Sequence, residues 1–348
     1  MEQLIYPETL GGMIAHLGAR LPQGTTEEEL DRWARLALEV NRLKRARNAI
    51  LLGHNYMAPS LYLSVPDYTG DSLGLSRIAA ASRADVIVFL GVRFMAETAK
   101  ILNPERLVLL PSARGGCSLA EAVTAADVRR LREAYPGAPV VSYVNTYAEV
   151  KAETDICCTS SNAAEVVRHL RAKGLETIIF LPDEYLGSNV AAETGMRVIL
   201  AGRGEGPLEG ERSSDPAPAP APGLVVWKGR CEVHERFTLK DVLAIREAHP
   251  GVVVLAHPEC HPEVVQASDF SGSTTAMIRH VRSLQGGKYA LLTECAMGDN
   301  IASENPGAEL LRLCQIRCPH MNEVTLEDTL RALREDRFTV EVDPEIAT

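Results

Sequence analysis

Cys117, Cys231 and Cys318 are each followed seven residues later by a threonine, Thr124, Thr238 and Thr325, and each threonine opens Thr-x-x-Asp. A hydroxyl three residues ahead of an acid is a helix start, with the hydroxyl capping free N–H groups and the acid facing the positive end of the dipole. The first two copies continue almost identically, Asp127-Val128 to Tyr135-Pro136-Gly137 against Asp241-Val242 to His249-Pro250-Gly251, and the third keeps Asp328 and Leu333-Arg334-Glu335 with one residue inserted. Upstream of each cysteine a short apolar run ends in a polar cluster: His54-Asn55-Tyr56, Tyr143-Val144-Asn145 and His257-Pro258-Glu259. A period of about 88 residues exceeds any solenoid unit, so the chain must fold as three similar domains rather than a stacked array.

Within each repeat, short all-apolar runs alternate with helical patterns, the signature of a parallel sheet covered on both faces. The expected fold is α/β: three pseudo-symmetric three-layer αβα domains with short parallel sheets, arranged around a central site. The domains span 26–120, 121–235 and 236–340, the last including a closing C-terminal helix. Helices are expected over 25–48, 190–194 and from Thr159, a turn through Met297-Gly298-Asp299, and a strand over 311–313. The Pro/Gly/Ala-rich segment 202–223 cannot bury a core and is expected to be a mobile surface insertion.

The net charge of −10 disfavours nucleic acid or a membrane surface as partner. The first residues have no basic and apolar signal pattern, and no run of about 18 apolar residues spans a membrane. Eight cysteines without a secretory signal read as reduced thiols or metal ligands in a cytoplasmic protein.

Open parallel sheets bind ligands beyond the carboxyl ends of their strands, where every polar cluster of this chain falls. If the domains face inward, Cys117, Cys231 and Cys318 meet at one point. Helix openings bearing Ser72, Ser160, Ser273 and Thr274 then surround the same cavity and favour an anionic ligand. Three soft thiolates with an open fourth position suit a [4Fe–4S] cluster whose free iron is a Lewis acid. A zinc site drawing on His234, His261 or His320 is the alternative. Cys157, Cys158, Cys260, Cys295 and Cys314 read as packing residues. Glu259 beside His257 is a candidate general base.

These segments, with Gly70-Asp71-Ser72-Leu73-Gly74, Phe94-Met95-Ala96-Glu97-Thr98, Gly116-Cys117-Ser118, Thr159-Ser160-Ser161-Asn162, Gly229-Arg230-Cys231-Glu232-Val233-His234, Gly272-Ser273-Thr274 and Cys318-Pro319-His320-Met321, closely resemble the quinolinate synthase family over most of the chain. The resemblance implies a triangular three-domain fold with one [4Fe–4S] cluster on Cys117, Cys231 and Cys318. It implies condensation of iminoaspartate with dihydroxyacetone phosphate to quinolinate, phosphate and water in NAD biosynthesis. An L-aspartate oxidase or dehydrogenase is the implied supplier of iminoaspartate. His54, Ser72, Tyr143, Val144, Asn145, Ser160, His257, Pro258, Glu259, Ser273 and Thr274 are the implied substrate contacts. Tyr56, Tyr143, His257 and Glu259 are the implied catalytic set. A hydro-lyase using the same open iron on one small carboxylate is the competing reading. An electron carrier is disfavoured because no fourth cysteine recurs in the repeat.

Overall fold

A computed structural model describes residues 3–203, 222–284, 286–311 and 316–347. Most of the 202–223 insertion lies outside the described residues, although Gly223 already belongs to a strand.

Among the described residues the strands form three all-parallel sheets. The first contains β1 (Ala49–His54), β2 (Tyr68–Gly70), β3 (Val86–Leu90) and β4 (Leu107–Leu109), in the order β2-β1-β3-β4. The second contains β5 (Val140–Tyr143), β6 (Ile156–Cys158), β7 (Thr177–Leu181), β8 (Val198–Ala201) and β9 (Gly223–Trp227), in the order β6-β5-β7-β9-β8. The third contains β10 (Val253–Ala256), β11 (Phe270–Ser271), β12 (Gly287–Leu292) and β13 (Ala308–Leu311), in the order β11-β10-β12-β13. The topology thus repeats three times, and the middle copy adds β8 as an outer edge. Central strands such as β3 are buried at every position, as a sheet sandwiched between helices requires.

Each repeat begins with a threonine-capped helix. Thr124 Oγ1 accepts from Asp127 N–H, Thr238 Oγ1 from Asp241 N–H and Thr325 Oγ1 from Asp328 N–H. The aspartates at 127 and 241 reach back to the cap N–H, closing two capping boxes. The helix over Leu326–Glu335 packs on the helix over Glu27–Ala46, the element that leads into β1. Beyond it, Thr339 bridges antiparallel to Leu109 on β4. The third threonine-capped helix therefore stands to the first sheet as the other two stand to the sheets that follow them.

Several boundaries differ from expectation. Residues 295–304 form a helix rather than a turn. Its buried residues, Ala296, Met297, Asn300 and Ile301, make one stripe, and Glu294 caps it through Ala296 N–H, so Gly298 interrupts nothing. The helix expected at 190–194 starts at Glu184, capped by Asp183. The one expected from Thr159 starts at Ala163, because Asn162 Oδ1 is turned back onto Thr159 N–H. The last strand is Ala308–Leu311, with 312–315, including Cys314, outside the described residues. Cys295 is disulfide-bonded and Cys157 is exposed, so neither is a simple packing residue, whereas Cys158 and Cys260 are buried. No described helix is long and apolar enough to cross a membrane.

Candidate active site

The three cysteines are held by the same local structure. Two residues before each one, a carbonyl accepts the first N–H of the helix that follows β3, β7 or β12. The pairs are Arg93 to Gly115 at 2.7 Å, Glu184 to Gly229 at 2.7 Å and Cys295 to Ile316 at 3.1 Å. Two and three residues after each cysteine, backbone N–H groups face its sulfur: Leu119 and Ala120, Val233 and His234, His320 and Met321. These donors belong to short helical turns beginning at Ser118, His234 and Met321. N–H donors favour the thiolate. Burial pushes the other way, raising Cys117 to about 12, Cys318 to about 11 and Cys231 well above its ordinary value. Cys117 also senses the sulfur of Cys318, and Cys231 that of Cys117. Three thiols that share one cavity, each supplied with donors for a negative sulfur it would not carry alone, fit a soft metal group.

The strand ends supply the proton chemistry. His54 follows β1 inward and accepts Tyr56 N–H at Nδ1 (3.2 Å); His257 beyond β10 accepts Glu259 N–H at Nδ1 in the same way (3.3 Å). Both rings therefore carry their proton on Nε2. Burial lowers His54 to about 4 and His257 to about 3, so both are neutral donors at neutral pH. Glu259 is buried, yet the surrounding histidines and hydrogen bonds outweigh desolvation and hold it below the usual carboxylate range. It accepts Tyr143 Oη at 2.6 Å and His234 Nδ1 at 2.8 Å. Burial, reinforced by Glu259, pushes Tyr56 and Tyr143 far above the ordinary phenol value, so both keep their protons. The His234 and His257 rings stack at 4.5 Å.

One cavity is lined by His54, Tyr56, Ser72, Tyr143, Val144, Asn145, Ser160, His257, Glu259, Ser273 and Thr274, together with Cys117, Cys231 and Cys318. Of the residues singled out in the sequence, Pro258 stands apart, its carbonyl accepting Asn189 Nδ2 at 2.8 Å. Asp71, not Ser72, caps its helix, accepting Gly74 N–H, and it also lines the cavity. Ser273 caps the helix over Thr274–Ser283, and Thr274 Oγ1 accepts Asn55 Nδ2 at 2.8 Å, which leaves its hydroxyl proton for a ligand. The Asn55 turn is anchored across repeats by Asn300 Nδ2, which donates to the carbonyls of Asn55 and Met57.

Sequence reasoning missed two central residues. His234, set aside as a zinc candidate, is buried between Glu259 and Thr293. The readable signal was its place three residues after Cys231, where the other repeats have Ala120 and Met321. Thr293, just past β12, had no signal of its own. His320 pairs with Glu232 at 3.1 Å on the cavity wall, and His261 caps an exposed short helix, so neither histidine converges with the cysteines on a closed zinc site. Donor atoms of Cys231, His234 and Glu259 do lie within 4.8 Å of one another, a possible metal-binding group.

A sequence model of the family described as Quinolinate synthetase A protein matches residues 38–348. The chain belongs to this family. Quinolinate synthase 2 of Mesorhizobium japonicum is 50% identical over 305 residues, 88% of this chain and 85% of that one. Quinolinate synthase of Agrobacterium fabrum is 50% identical over 88% of this chain and 80% of its own length. Quinolinate synthase of Sinorhizobium fredii is 44% identical over 344 residues, 99% of this chain and 88% of that one. The threefold α/β architecture is thus that of a quinolinate synthetase A protein, an enzyme family.

Proposed function

We propose that this member of the family condenses iminoaspartate with dihydroxyacetone phosphate, forming quinolinate and releasing one phosphate and two waters in NAD biosynthesis. The observation that carries this reading is one cavity receiving an identical cysteine loop and a different polar strand end from each of three repeats. Two anionic half-substrates require separate anion grips, and the helix openings at Ser72 and Ser273-Thr274, with Ser160 in the turn ahead of Ala163, supply them. In this reading Thr274 and Ser273 hold the phosphate. His54 and His257 donate Nε2–H to carboxylate or carbonyl oxygens, and Asn145 and the Val144 backbone orient the second substrate. Glu259 takes the proton whose removal enolises the keto-phosphate. Tyr56 and Tyr143 return protons to the oxygens that leave as water.

Cys117, Cys231 and Cys318 would hold a [4Fe–4S] cluster whose open iron supplies Lewis acidity. With the family established, the single-substrate hydro-lyase reading has no observation in its favour. The enzyme would work in the cytoplasm on iminoaspartate delivered by an L-aspartate oxidase or dehydrogenase.

The test is turnover by anaerobically purified, cluster-loaded enzyme given freshly generated iminoaspartate and dihydroxyacetone phosphate. Equal amounts of quinolinate and phosphate are expected. Loaded enzyme that forms no quinolinate would overturn the reading.

A further inference from the structure

Each strand-end turn is held from behind by one side-chain nitrogen that donates to two carbonyls. Asn300 Nδ2 donates to the carbonyls of Asn55 and Met57, at 3.0 and 2.9 Å. Asn189 Nδ2 donates to those of Pro258 and Cys260, at 2.8 and 3.0 Å. Lys151 Nζ donates to that of Val144, at 2.9 Å, and to that of Thr146. Counted from His54, Tyr143 and His257, these are the same two peptide groups in every repeat. Each pair flanks one residue, Tyr56, Asn145 or Glu259, and all three of those line the cavity. We infer that Lys151 is a positioning residue: it fixes the turn that presents Asn145, as Asn300 fixes the turn of Tyr56 and Asn189 that of Glu259. The inference rests on the reading of the cavity as the site of quinolinate formation.

The change of donor in the second repeat can be traced to the helices. Asn189 and Asn300 each stand sixth in the helix that follows β7 or β12, Glu184–Thr194 or Cys295–Glu304, and each reaches the turn of another repeat. The sixth residue of the corresponding helix after β3, Arg93–Leu102, is Thr98. Its hydroxyl donates to the Phe94 carbonyl within its own helix. The second repeat therefore supplies a donor itself, from the short helix over Ala148–Ala152. That helix is tied to the first repeat by buried Glu97, which accepts Ala148 N–H at Oε2 (2.9 Å) and Arg93 Nε–H at Oε1 (2.7 Å). Glu97 and Lys151 together thus do across this junction what a single amide does across the other two.

An ammonium suits the task. It has three N–H donors and no acceptor, so once enclosed it must find acceptor oxygens. Burial pulls Lys151 down to about 8, against the influence of Cys157, Glu97 and Cys117, which hold it up. Its Nζ also lies 5.6 Å from the centre of the Phe94 ring of the first repeat. Rotation of either flanking peptide group would break a bond to Nζ, so Asn145 between them is held in one orientation.

Steady-state kinetics on cluster-loaded enzyme test whether Lys151 acts through Asn145. Lys151→Met removes the donor and is made in wild type and in Asn145→Ala. Lys151→Gln, made in wild type, places a side-chain amide behind the turn as the other repeats do. Iron and sulfide content is expected to stay at the wild-type level throughout. In wild type the methionine substitution is expected to lower kcat/KM on the order of 30-fold, and in Asn145→Ala by at most about three-fold. The glutamine variant is expected to stay within about five-fold of wild type. A packing role would lower kcat/KM by the same factor in both backgrounds. Equal factors, wild-type kinetics in Lys151→Met, or a glutamine variant as impaired as the methionine one would overturn the inference alone. Loaded wild type without turnover would overturn the underlying reading and the inference with it.

Discussion

The turn at His54–Tyr56 and the turn at His257–Glu259 are the same piece of structure with different cargo. Each leaves the end of a buried parallel strand, each histidine accepts the N–H of the residue two further on, and each ring is held neutral by burial. The first turn delivers a phenol that keeps its proton; the second delivers a carboxylate that has lost it. The fold repeats the support and varies one side chain on it. Proton donor and proton acceptor thereby arrive at one cavity from opposite repeats. The middle repeat, with Tyr143 at the first position and Asn145 at the third, completes the set by attaching its phenol to Glu259 directly.

If that division of labour is right, the two turns answer differently to removal of their cargo. Glu259→Gln removes the only anion to which Tyr143 and His234 both donate, and kcat is expected to fall on the order of 1,000-fold with cluster content intact. Tyr56→Phe removes one proton carrier and is expected to cost on the order of 100-fold, read in the same assay. Equal losses would mean that the two turns do not divide acid and base work.

The supports, by contrast, should answer alike. A histidine held at about 4 or about 3 in the folded protein takes up its proton near 6.5 when unfolded. Between those values the unfolded chain binds more protons, so stability is full above pH 6.5 and declines as pH falls toward 4. Each ring contributes on the order of 3 kcal/mol to that decline over two or more pH units. Denaturant midpoints at pH 7 and pH 4.5 are expected to converge in His54→Gln and in His257→Gln relative to wild type. An acid limb that persists in both variants would place its origin elsewhere.

Smallest of all should be the effect of the helix caps. Thr124→Ala, Thr238→Ala and Thr325→Ala are each expected to cost about 1 kcal/mol by chemical denaturation, because each hydroxyl satisfies one N–H at a helix start. A loss confined to one of the three would break the equivalence of the repeats at the level of local structure.

What the sequence makes legible follows from the same comparison. Features that recur at fixed offsets can be read: the cysteines, the threonine caps and the strand-end clusters. The second strand of each sheet, β2, β6 and β11, is two or three residues long and too short to show a period. The helix at Cys295–Glu304 hides behind Gly298, which reads as a breaker until the buried stripe around it is known. His234, Thr293 and the Asn55–Thr274 bond escape for another reason. Their partners lie across repeats, 219 residues apart for Asn55 and Thr274 and 237 for Tyr56 and Thr293, and no local pattern encodes such a meeting.

The central claim is that three equivalent loops hold one shared cluster. Iron, sulfide and zinc are to be measured per chain in anaerobically purified wild type and in Cys117→Ser, Cys231→Ser and Cys318→Ser. The account predicts about four irons and four sulfides in wild type and loss of both in every variant. A single bound metal ion without sulfide, lost from Cys231→Ser but retained in Cys117→Ser and Cys318→Ser, would contradict it and assign the centre to Cys231, His234 and Glu259 instead.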